Sequence, residues 1–174
     1  MAGELKYTTF NTDMGWVGIL GSSHGLLRTT LPQGSAQEAE QLLGDRVKEA
    51  SWSDNFFQDL RQRFRSYFAG HKTTFPDELD LSQATAFQHE VWETTRLIPY
   101  GETRSYTWVA EQLGKAGAVR AVGQALGQNP LPIIVPCHRV VAKDGKLGGY
   151  SGGVEKKDYL LRLESSANIN RVTI

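Results

Sequence analysis

The residues best suited to covalent chemistry in this chain of 174 residues are the adjacent Cys137, His138 and Arg139. The ionised form of cysteine is the nucleophile, and nearby positive charge favours its ionisation. A histidine close to a cysteine can remove the thiol proton. The three residues therefore predict nucleophilic chemistry at Cys137. The alternative is that a lone cysteine serves only as a small buried apolar side chain, and it stays open at this point.

The residues before Cys137 predict how it is held. Residues 133–135 are Ile-Ile-Val and predict a short buried strand. Pro136 has no backbone N–H and ends regular strand pairing, which places Cys137 at a strand end. Successive side chains of an extended chain point to opposite faces. Contact between the Cys137 sulfur and the His138 ring therefore needs a turn or a bridging water.

A histidine that acts as a base is usually oriented by a carboxylate, as in catalytic triads. Residues 156–164 predict the final helix, and Glu164 at its end is one candidate for this carboxylate. Spacing alone does not separate Glu164 from Glu155 or Asp158.

A glycine-rich segment follows the cysteine. Residues 145–153 contain five glycines, so the backbone there can bring N–H groups close to a ligand. A pair of tight turns would explain the same composition. The segment lacks the Lys-Ser/Thr of a phosphate-binding P-loop, which argues against nucleotide hydrolysis.

Two short helices with a turn between them precede the cysteine. Ser105 is a good N-cap for a helix that runs to Leu113, and Gly114 is a good stop. Residues 118–128 predict the next helix, so the pair forms a helix-turn-helix candidate. An earlier helix begins near Phe87 and stops before Pro99.

The helix at 118–128 is rich in small residues, although glycine inside a helix costs about 1 kcal/mol relative to alanine. These residues are Gly117, Ala118, Ala121, Gly123, Ala125 and Gly127. One explanation is tight packing against another helix. The other is insertion into a DNA minor groove, which is only about 6 Å wide, with Arg120 projecting into or beside the base stack.

The first half of the chain predicts strands followed by helices. Residues 7–10, 16–20 and 26–31 are β-rich runs separated by glycines. Residues 35–43 and 54–68 predict helices, the second with an aromatic stripe that we interpret as core. A connector at 69–81 places the domain boundary near residue 85.

Composition limits the classes of function. Lys plus Arg and Asp plus Glu both number 19, yet residues 1–85 carry a net charge of −3 and residues 86–174 of +3. The excess of positive charge in residues 86–174 would attract a negatively charged partner to that half of the chain. An excess of this size is also found on ordinary solvated surfaces, so both explanations stay open. One cysteine excludes a disulfide framework and a cysteine-rich metal cluster. Neither a signal peptide nor a membrane span is predicted, so we expect a cytoplasmic protein.

Several motifs together resemble those of one family. They are Tyr100-Gly101-Glu102-Thr103-Arg104-Ser105-Tyr106, Arg120-Ala121-Val122-Gly123, Asn129-Pro130, Pro136-Cys137-His138-Arg139-Val140 and Gly149-Tyr150-Ser151-Gly152-Gly153. In order and spacing they resemble the O6-alkylguanine-DNA alkyltransferases, also called methylated-DNA–protein-cysteine methyltransferases. The resemblance is strong over about 86–165 and loose before it. It implies a ribonuclease-H-like α/β domain at 1–85 and a mainly helical, winged-helix-type helix-turn-helix domain at 86–174.

The resemblance also implies an activity. Family members transfer one alkyl group per molecule from O6-alkylguanine in double-stranded DNA to their cysteine, without a cofactor. We extend this expectation to O4-alkylthymine as a second substrate. A subgroup with tryptophan at that position binds alkylated DNA without repairing it, and Cys137 places this chain with the active members. We expect a monomer without membrane contact. The competing hypotheses are a DNA-binding sensor and a cysteine hydrolase that uses Cys137 and His138.

Family roles carry over to matching residues. Cys137 is the alkyl acceptor, His138 removes its proton through a water, and Glu164 orients His138. Asn129 hydrogen-bonds near the thiol, and Tyr106 flanks the phosphate and donates to the leaving guanine.

The remaining implied residues contact DNA or line the pocket. Arg120 fills the gap left by the flipped nucleotide. Ala121, Gly123, Thr107, Lys115 and Lys143 are the other implied DNA contacts, and Pro132, Val140, Tyr150 and Ser151 line the pocket. Some relatives bind zinc in the N-terminal domain, but His24 and His71 without a cysteine make a poor site there, so we predict no metal.

Overall fold

The computed structural model of the protein describes residues 3–144 and 146–172, of which 166–172 are described by their backbone alone. Gly145, one of the five glycines noted above, lies outside the described residues. The chain divides into two compact units, Met1–Ser82 and Gln83–Ile174. Both contain helices and strands, so the mixed α/β class is confirmed. In the described part of the chain, no helix has the length and apolar character needed to cross a bilayer.

The first unit is built on a four-stranded sheet. Its strands are β1 (Lys6–Thr12), β2 (Gly15–Ser22), β3 (Gly25–Thr29) and β4 (Ser51–Trp52), in the order β3-β2-β1-β4. β1 and β3 pair antiparallel with β2, whereas β4 pairs parallel with β1. The three predicted strands are thus confirmed. β4 is missing from the sequence prediction because two residues are too few to show a period.

Two helices complete this unit, α1 (Ala36–Leu42) and α2 (Gln58–Phe68). The aromatic stripe of α2 is core, as predicted: Phe64 and Tyr67 are fully buried. Burying such a side chain contributes about 1.5–3 kcal/mol. The helix begins later than the predicted residue 54, because residues 55–57 form a 3₁₀ turn in which the Phe57 N–H bonds to the Asp54 carbonyl at 3.3 Å.

The second unit is mainly helical, as predicted. Its helices are α3 (Ala86–Thr95), α4 (Tyr106–Gln112), α5 (Val119–Gly127) and α6 (Val154–Val172). Thr85 and Gln88 form a reciprocal capping box at the start of α3. Ser105 caps α4 by accepting a hydrogen bond from the Trp108 N–H at 2.9 Å. Gly114, at φ +70°, ends the turn after α4 in a conformation that suits glycine.

The small residues of α5 divide between two environments. Ala125 is buried, and its carbonyl accepts the Trp92 indole N–H at 2.9 Å, so one face of α5 packs tightly on α3. Ala121 and Gly127 are exposed on the same helix. Tight helix packing therefore explains Ala125, but it does not explain the small residues that are exposed.

The prediction of a strand at residues 133–135 is wrong. Ile133 has φ +76°, and the segment forms a tight loop in which the Val135 N–H bonds to the Leu131 carbonyl at 2.9 Å. Asn129 holds this loop from inside, since its Oδ1 accepts the Leu131 N–H and its Nδ2 donates to the Val135 carbonyl, both at 2.9 Å. These local bonds satisfy backbone groups that a strand would have paired with a neighbour.

Cys137 consequently does not lie at a strand end. Pro136, at φ −79° and ψ 63°, makes an inverse γ-turn in which the Cys137 N–H reaches the Val135 carbonyl at 2.7 Å. Cys137–Arg139 is then one turn of 3₁₀ helix, which leads into β6 (Val140–Val141). β6 pairs parallel with β5 (Arg104–Ser105). Cys137 and His138 are thus consecutive residues of a 3₁₀ turn rather than of an extended strand.

The Ser105 cap gives a test of how α4 is held. Ser105→Ala leaves the Trp108 N–H without its partner and should lower the free energy of unfolding by about 1 kcal/mol. For a chain of this size that corresponds to a fall in Tm of about 2–4 °C. Ser105→Thr keeps the hydroxyl and should stay within about 1 °C of wild type. Equal melting temperatures for both variants would contradict the cap.

Candidate active site

Cys137 lies in a cavity of about 390 Å³ in the second unit. The sulfur-bearing side chain is 5% exposed, so it is nearly enclosed by protein. The cavity is lined by Tyr106, Gly123, Leu126, Gly127, Cys137, Gly149, Tyr150 and Ser151. Its volume lies within the range of cavities that hold small ligands, about 300–1,000 Å³.

Burial and nearby polar groups have opposing effects on the pKa of the Cys137 thiol. Burial raises the pKa of Cys137, because the charged form loses its hydration. The Asn129 amide, whose Nδ2 lies 3.2 Å from the sulfur, lowers this pKa, and so do the Tyr150 hydroxyl and the Lys157 ammonium. Since burial is the largest effect, the resting group is a thiol and needs a base to become a nucleophile.

The carboxylate that contacts the histidine is Glu164. His138 Nε2 and Glu164 Oε2 are 2.6 Å apart, and both side chains are almost completely buried. Glu155 is exposed, and Asp158 pairs with Arg162 at 2.8 Å. The structure thus selects one of the three carboxylates that spacing left open.

Glu164 is held from three sides. Besides His138, its Oε1 accepts the Arg139 Nε–H at 2.9 Å and the Gly101 backbone N–H at 3.2 Å. Burial alone would raise the pKa of Glu164, but His138 and Arg139 outweigh burial and bring the pKa to about 2. The carboxylate is therefore ionised at all physiological pH values.

His138 is neutral at pH 7, because burial lowers its pKa more than Glu164 raises it. With an ionised carboxylate on Nε2, the proton of the neutral ring resides on Nε2 and is donated to Glu164. Nδ1 is then the basic nitrogen. It is buried and has no hydrogen-bond partner among the described residues. The ring is thus set up to accept a proton at Nδ1.

The expected role of Arg139 is wrong in one respect. Its guanidinium does not face the thiol: it bonds to Glu164 and donates through Nη1 to the Ile98 carbonyl at 2.8 Å. The cation whose charge lowers the pKa of Cys137 is Lys157. Sequence proximity suggested Arg139, whereas the 3₁₀ turn directs consecutive side chains to different neighbours.

Lys157 is a residue that our sequence analysis missed. It is completely buried on α6, and its Nζ donates to the carbonyls of Leu147 and Gly149 and to the Tyr106 hydroxyl. A signal was available, because Lys157 precedes Glu164 by seven residues. Two helical turns place both on the same face.

The predicted pocket residues divide into two groups. Tyr150 and Ser151 line the cavity, together with Tyr106 and Gly123, which were predicted for other roles. Pro132 and Val140 are not among the lining residues. Val140 is fully buried where β6 pairs with Arg104, and Pro132 forms a bridge with Val135.

The predicted DNA contacts lie along α4 and α5. Arg120 and Ala121 are exposed on α5, and within the described residues Arg120 forms no hydrogen bond or ion pair. Thr107 is half-buried near the start of α4. Lys115 is exposed but engaged, 3.4 Å from Glu90 and over the Phe87 ring. Lys143 is exposed beyond β6. Among the described residues, no three His, Cys, Asp or Glu side chains lie close enough together to hold a metal.

Comparison with known proteins identifies the family. Residues 86–166 match the family described as 6-O-methylguanine DNA methyltransferase, DNA binding domain. A methylated-DNA–protein-cysteine methyltransferase of Mycobacterium bovis is 43% identical over 162 residues, 93% of each chain. One of Methanosarcina acetivorans is 38% identical over 164 residues, 93% of this chain and 99% of that protein.

A solved structure agrees with the sequence comparison. The fold resembles Mycobacterium tuberculosis OGT in complex with DNA, with a TM-score of 0.77 and 38% identity over 93% of this chain and 94% of the other. The similarity extends through both units, whereas the motifs alone had covered the second one. The chain belongs to the methylated-DNA–protein-cysteine methyltransferase family.

Proposed function

We propose that this protein repairs DNA by transferring the alkyl group of O6-alkylguanine to Cys137, once per molecule. The observation that carries this function is a buried thiol in a cavity, followed in the chain by a neutral histidine whose carboxylate partner fixes the tautomer. The solved relative in complex with DNA supports DNA as the partner. A DNA-binding sensor needs no such base.

The cavity sets how the substrate must arrive. The O6 position of guanine lies inside the base stack, so the nucleotide has to be flipped out to reach a thiol that is 5% exposed. Flipping costs a few kcal/mol. We assign Arg120 to the gap in the stack, because its side chain is exposed on α5 and forms no hydrogen bond or ion pair in the described part of the chain. The small exposed residue Ala121 next to it lets α5 approach the DNA backbone closely.

The transfer step follows from the proton positions at the site. His138 Nδ1 accepts the Cys137 proton through a bridging water, and Glu164 stabilises the imidazolium that forms. The sulfur then attacks the alkyl carbon, and the bond between that carbon and O6 breaks. Its electron pair stays on the guanine. Overall, one alkyl group passes from the guanine oxygen to the Cys137 sulfur, and one proton passes from the thiol to His138.

Tyr106 is placed to assist the leaving base. Burial, followed by the nearby Cys137, raises the pKa of Tyr106, so the phenol keeps its proton and acts as a donor. A donor aimed at developing negative charge lowers the barrier of the leaving step. The cavity wall formed by Tyr106, Tyr150 and Ser151 thus combines binding with charge stabilisation.

The product explains why the protein acts once. In the thioether on Cys137 the sulfur is a far poorer leaving group than guanine, and a second nucleophile would have to reach the alkyl carbon beside the enclosed sulfur to remove the alkyl group. A cysteine hydrolase would instead need turnover.

Further assignments complete the proposal. We assign the first unit to the ribonuclease-H-like class, which its strand order β3-β2-β1-β4 supports, and the second to the winged-helix type, which α4, α5 and the β5–β6 pair support. Thr107, Lys115 and Lys143 are assigned to the DNA backbone. A monomeric state and a cytoplasmic location stay predictions.

The central experiment is a single-turnover assay with duplex DNA that contains O6-methylguanine. We expect a mass gain of one methyl group per chain, located on Cys137, and then no further reaction. Cys137→Ala should bind the duplex with unchanged affinity and gain no mass. Continued turnover would indicate a hydrolase, and binding by the wild type without mass gain would indicate a sensor.

Glu164 gives a test that joins catalysis to stability. Glu164→Gln removes the charge that pairs with Arg139 and accepts the hydrogen bond of His138, and breaking a buried ion pair costs about 3–5 kcal/mol. Glu155→Gln is the matched control, since Glu155 is exposed on the same helix. We expect slower methyl transfer and a lower free energy of unfolding at pH 7 for Glu164→Gln only.

The pH dependence of stability provides an independent check. The pKa of Glu164 is about 2 in the folded protein, compared with an ordinary value of 4.5. The unfolded chain therefore binds the proton more readily, and the stabilisation present above pH 4.5 is lost as the pH falls towards 2. Denaturant titrations across this window should show a steep loss for wild type and Glu155→Gln. A loss of equal slope in Glu164→Gln would contradict the assignment.

Arg120 is tested by comparing two substrates. Arg120→Ala should slow methyl transfer from duplex DNA by tenfold or more, in the range of about 1–3 kcal/mol expected for a DNA-contacting arginine. Reaction with a free O6-alkylguanine base, which needs no flipping, should change little. Arg162→Ala removes an exposed arginine on α6 and serves as the charge control. Equal losses on both substrates would reject the role of Arg120 in flipping.

A further inference from the structure

Gln124 is an exposed polar residue of α5 to which the proposed function gives no role. Within the described residues its side chain forms no hydrogen bond. The next glutamine along the chain, Gln128, is engaged, because its Oε1 accepts the Gln88 Nε2–H at 2.7 Å. Gln124 therefore has both its amide donor and its amide acceptor available for a molecule outside the chain.

The position of Gln124 on α5 places it next to Arg120. The two residues are four apart in sequence, and residues at this spacing are neighbours on the surface of a helix. Both are exposed, whereas Val122 and Ala125 are buried, so α5 packs on the protein through other residues. Arg120 and Gln124 thus form one exposed stripe of α5.

Small residues lie on both sides of Gln124 along the helix. Ala121 precedes it by three residues and Gly127 follows it by three, and both are exposed. A Cβ on Gly127 would meet no atom within 4 Å, so packing inside the protein does not require a glycine there. The amide of Gln124 therefore lies between two neighbours with almost no side-chain bulk.

This surface of α5 suits the narrower groove of DNA. The major groove is about 12 Å wide and admits an ordinary helix, whereas the minor groove is only about 6 Å wide and needs small side chains at the contact. Among the nine described residues of α5, Arg120 is the single charged one, and it is positive. Phosphates on either side of the groove therefore meet no acidic side chain on this helix.

The cavity gives an independent reason to place DNA along α5. Gly123 and Gly127, on either side of Gln124 in the chain, line the cavity that holds Cys137. A duplex that delivers a nucleotide to this cavity lies against the exposed residues of the same helix. Four residues of helix span about 6 Å, and base pairs are about 3.4 Å apart. If Arg120 fills the gap in the stack, Gln124 reaches the first or second base pair beside it.

The minor-groove edges of the base pairs determine what a glutamine amide can recognise. An A·T pair presents only acceptors there, whereas a G·C pair adds a donor, the N2 amino group of guanine. The Nε2 group of a glutamine can donate to either pair, but its Oε1 finds a donor only in G·C. An uncommitted glutamine in this groove therefore favours G·C.

We propose that Gln124 makes alkyl transfer depend on the base pairs next to the alkylated guanine, because its Oε1 accepts a hydrogen bond from the amino group of a neighbouring G·C pair. The inference rests on the proposed function for its effect on repair. The contact itself is a property of the complex with DNA, so it can be measured without transfer in Cys137→Ala.

The test uses duplexes that differ by a single amino group. Each contains O6-methylguanine, with a G·C or an inosine·C pair at the first or second position on either side, since inosine lacks the N2 amino group. Methyl transfer is measured for wild type, Gln124→Met and the control Gln62→Met, which replaces an exposed glutamine of α2. Because an inosine·C pair is itself weaker, the ratio of the two rates is compared between proteins.

We expect the ratio of the rate with G·C to the rate with inosine·C to be about fivefold higher in wild type than in Gln124→Met at one of these positions. This is the size expected for one neutral hydrogen bond. Gln62→Met should give the wild-type ratio. The same factor should appear in equilibrium binding when Cys137→Ala is compared with the double variant Cys137→Ala, Gln124→Met.

Gln124→Glu separates the acceptor from the donor. It keeps the oxygen acceptor, loses the N–H donors and adds a negative charge beside the phosphates. We expect slower transfer from every duplex than in wild type, with the wild-type ratio between G·C and inosine·C retained. Gln62→Glu controls for the added charge. A ratio in Gln124→Glu equal to that of Gln124→Met would overturn the proposal, because the oxygen would not be the group that contacts guanine.

Two further outcomes separate this inference from the proposed function. Methyl transfer by wild type with ratios that Gln124→Met leaves unchanged at every position would reject the role of Gln124 and leave the proposed function intact. If wild type gained no methyl group while Gln124→Met still lowered the binding ratio of Cys137→Ala, the proposed function would fail and the contact would stand.

Discussion

The second unit depends on one buried carboxylate. Glu164 is 1% exposed, and such a charge is tolerated only where hydrogen bonds replace the lost water. Here His138, Arg139 and the Gly101 N–H supply those bonds, and Arg139 continues to the Ile98 carbonyl. Because both carboxylate oxygens of Glu164 need hydrogen-bond donors, this side chain connects α6 with the 3₁₀ turn and with the loop after α3. The tautomer of His138 follows from the same requirement.

A second buried charge on the same helix has the opposite sign. Lys157 lies two turns before Glu164, and each group sits among partners that complement its own charge rather than against the other. This separation matters, because a direct Lys–Glu pair would neutralise both and leave the thiol without a cation and the histidine without an anion. α6 therefore supplies positive charge to the nucleophile and negative charge to the base, from one face of one helix.

The sequence predicted the helices and the three long strands, because their periodicity and caps are local properties, as at Ser105 and Gly114. It did not predict the conformation of residues 133–135, where an apolar run is buried as a loop around the Asn129 side chain rather than as a strand. A run of apolar residues predicts that a segment is buried, but it does not predict which groups its backbone hydrogen-bonds to. The choice of Glu164 over Glu155 and Asp158, and the direction of Arg139, depended on tertiary contacts. Lys157 was missed because a lysine in a helix is typical of an exposed position.

Two glycines of α5 that line the cavity lower the stability of the helix, and we explain them by function. Gly123 and Gly127 lie in α5 and line the cavity, although each costs the helix about 1 kcal/mol relative to alanine. A Cβ on Gly127 would meet nothing within 4 Å, and one on Gly123 would only touch the Tyr106 ring at 4.0 Å. Close packing against protein therefore does not require either glycine. Their small size leaves width for a molecule that is not part of the fold, beside a thiol that such a molecule must reach.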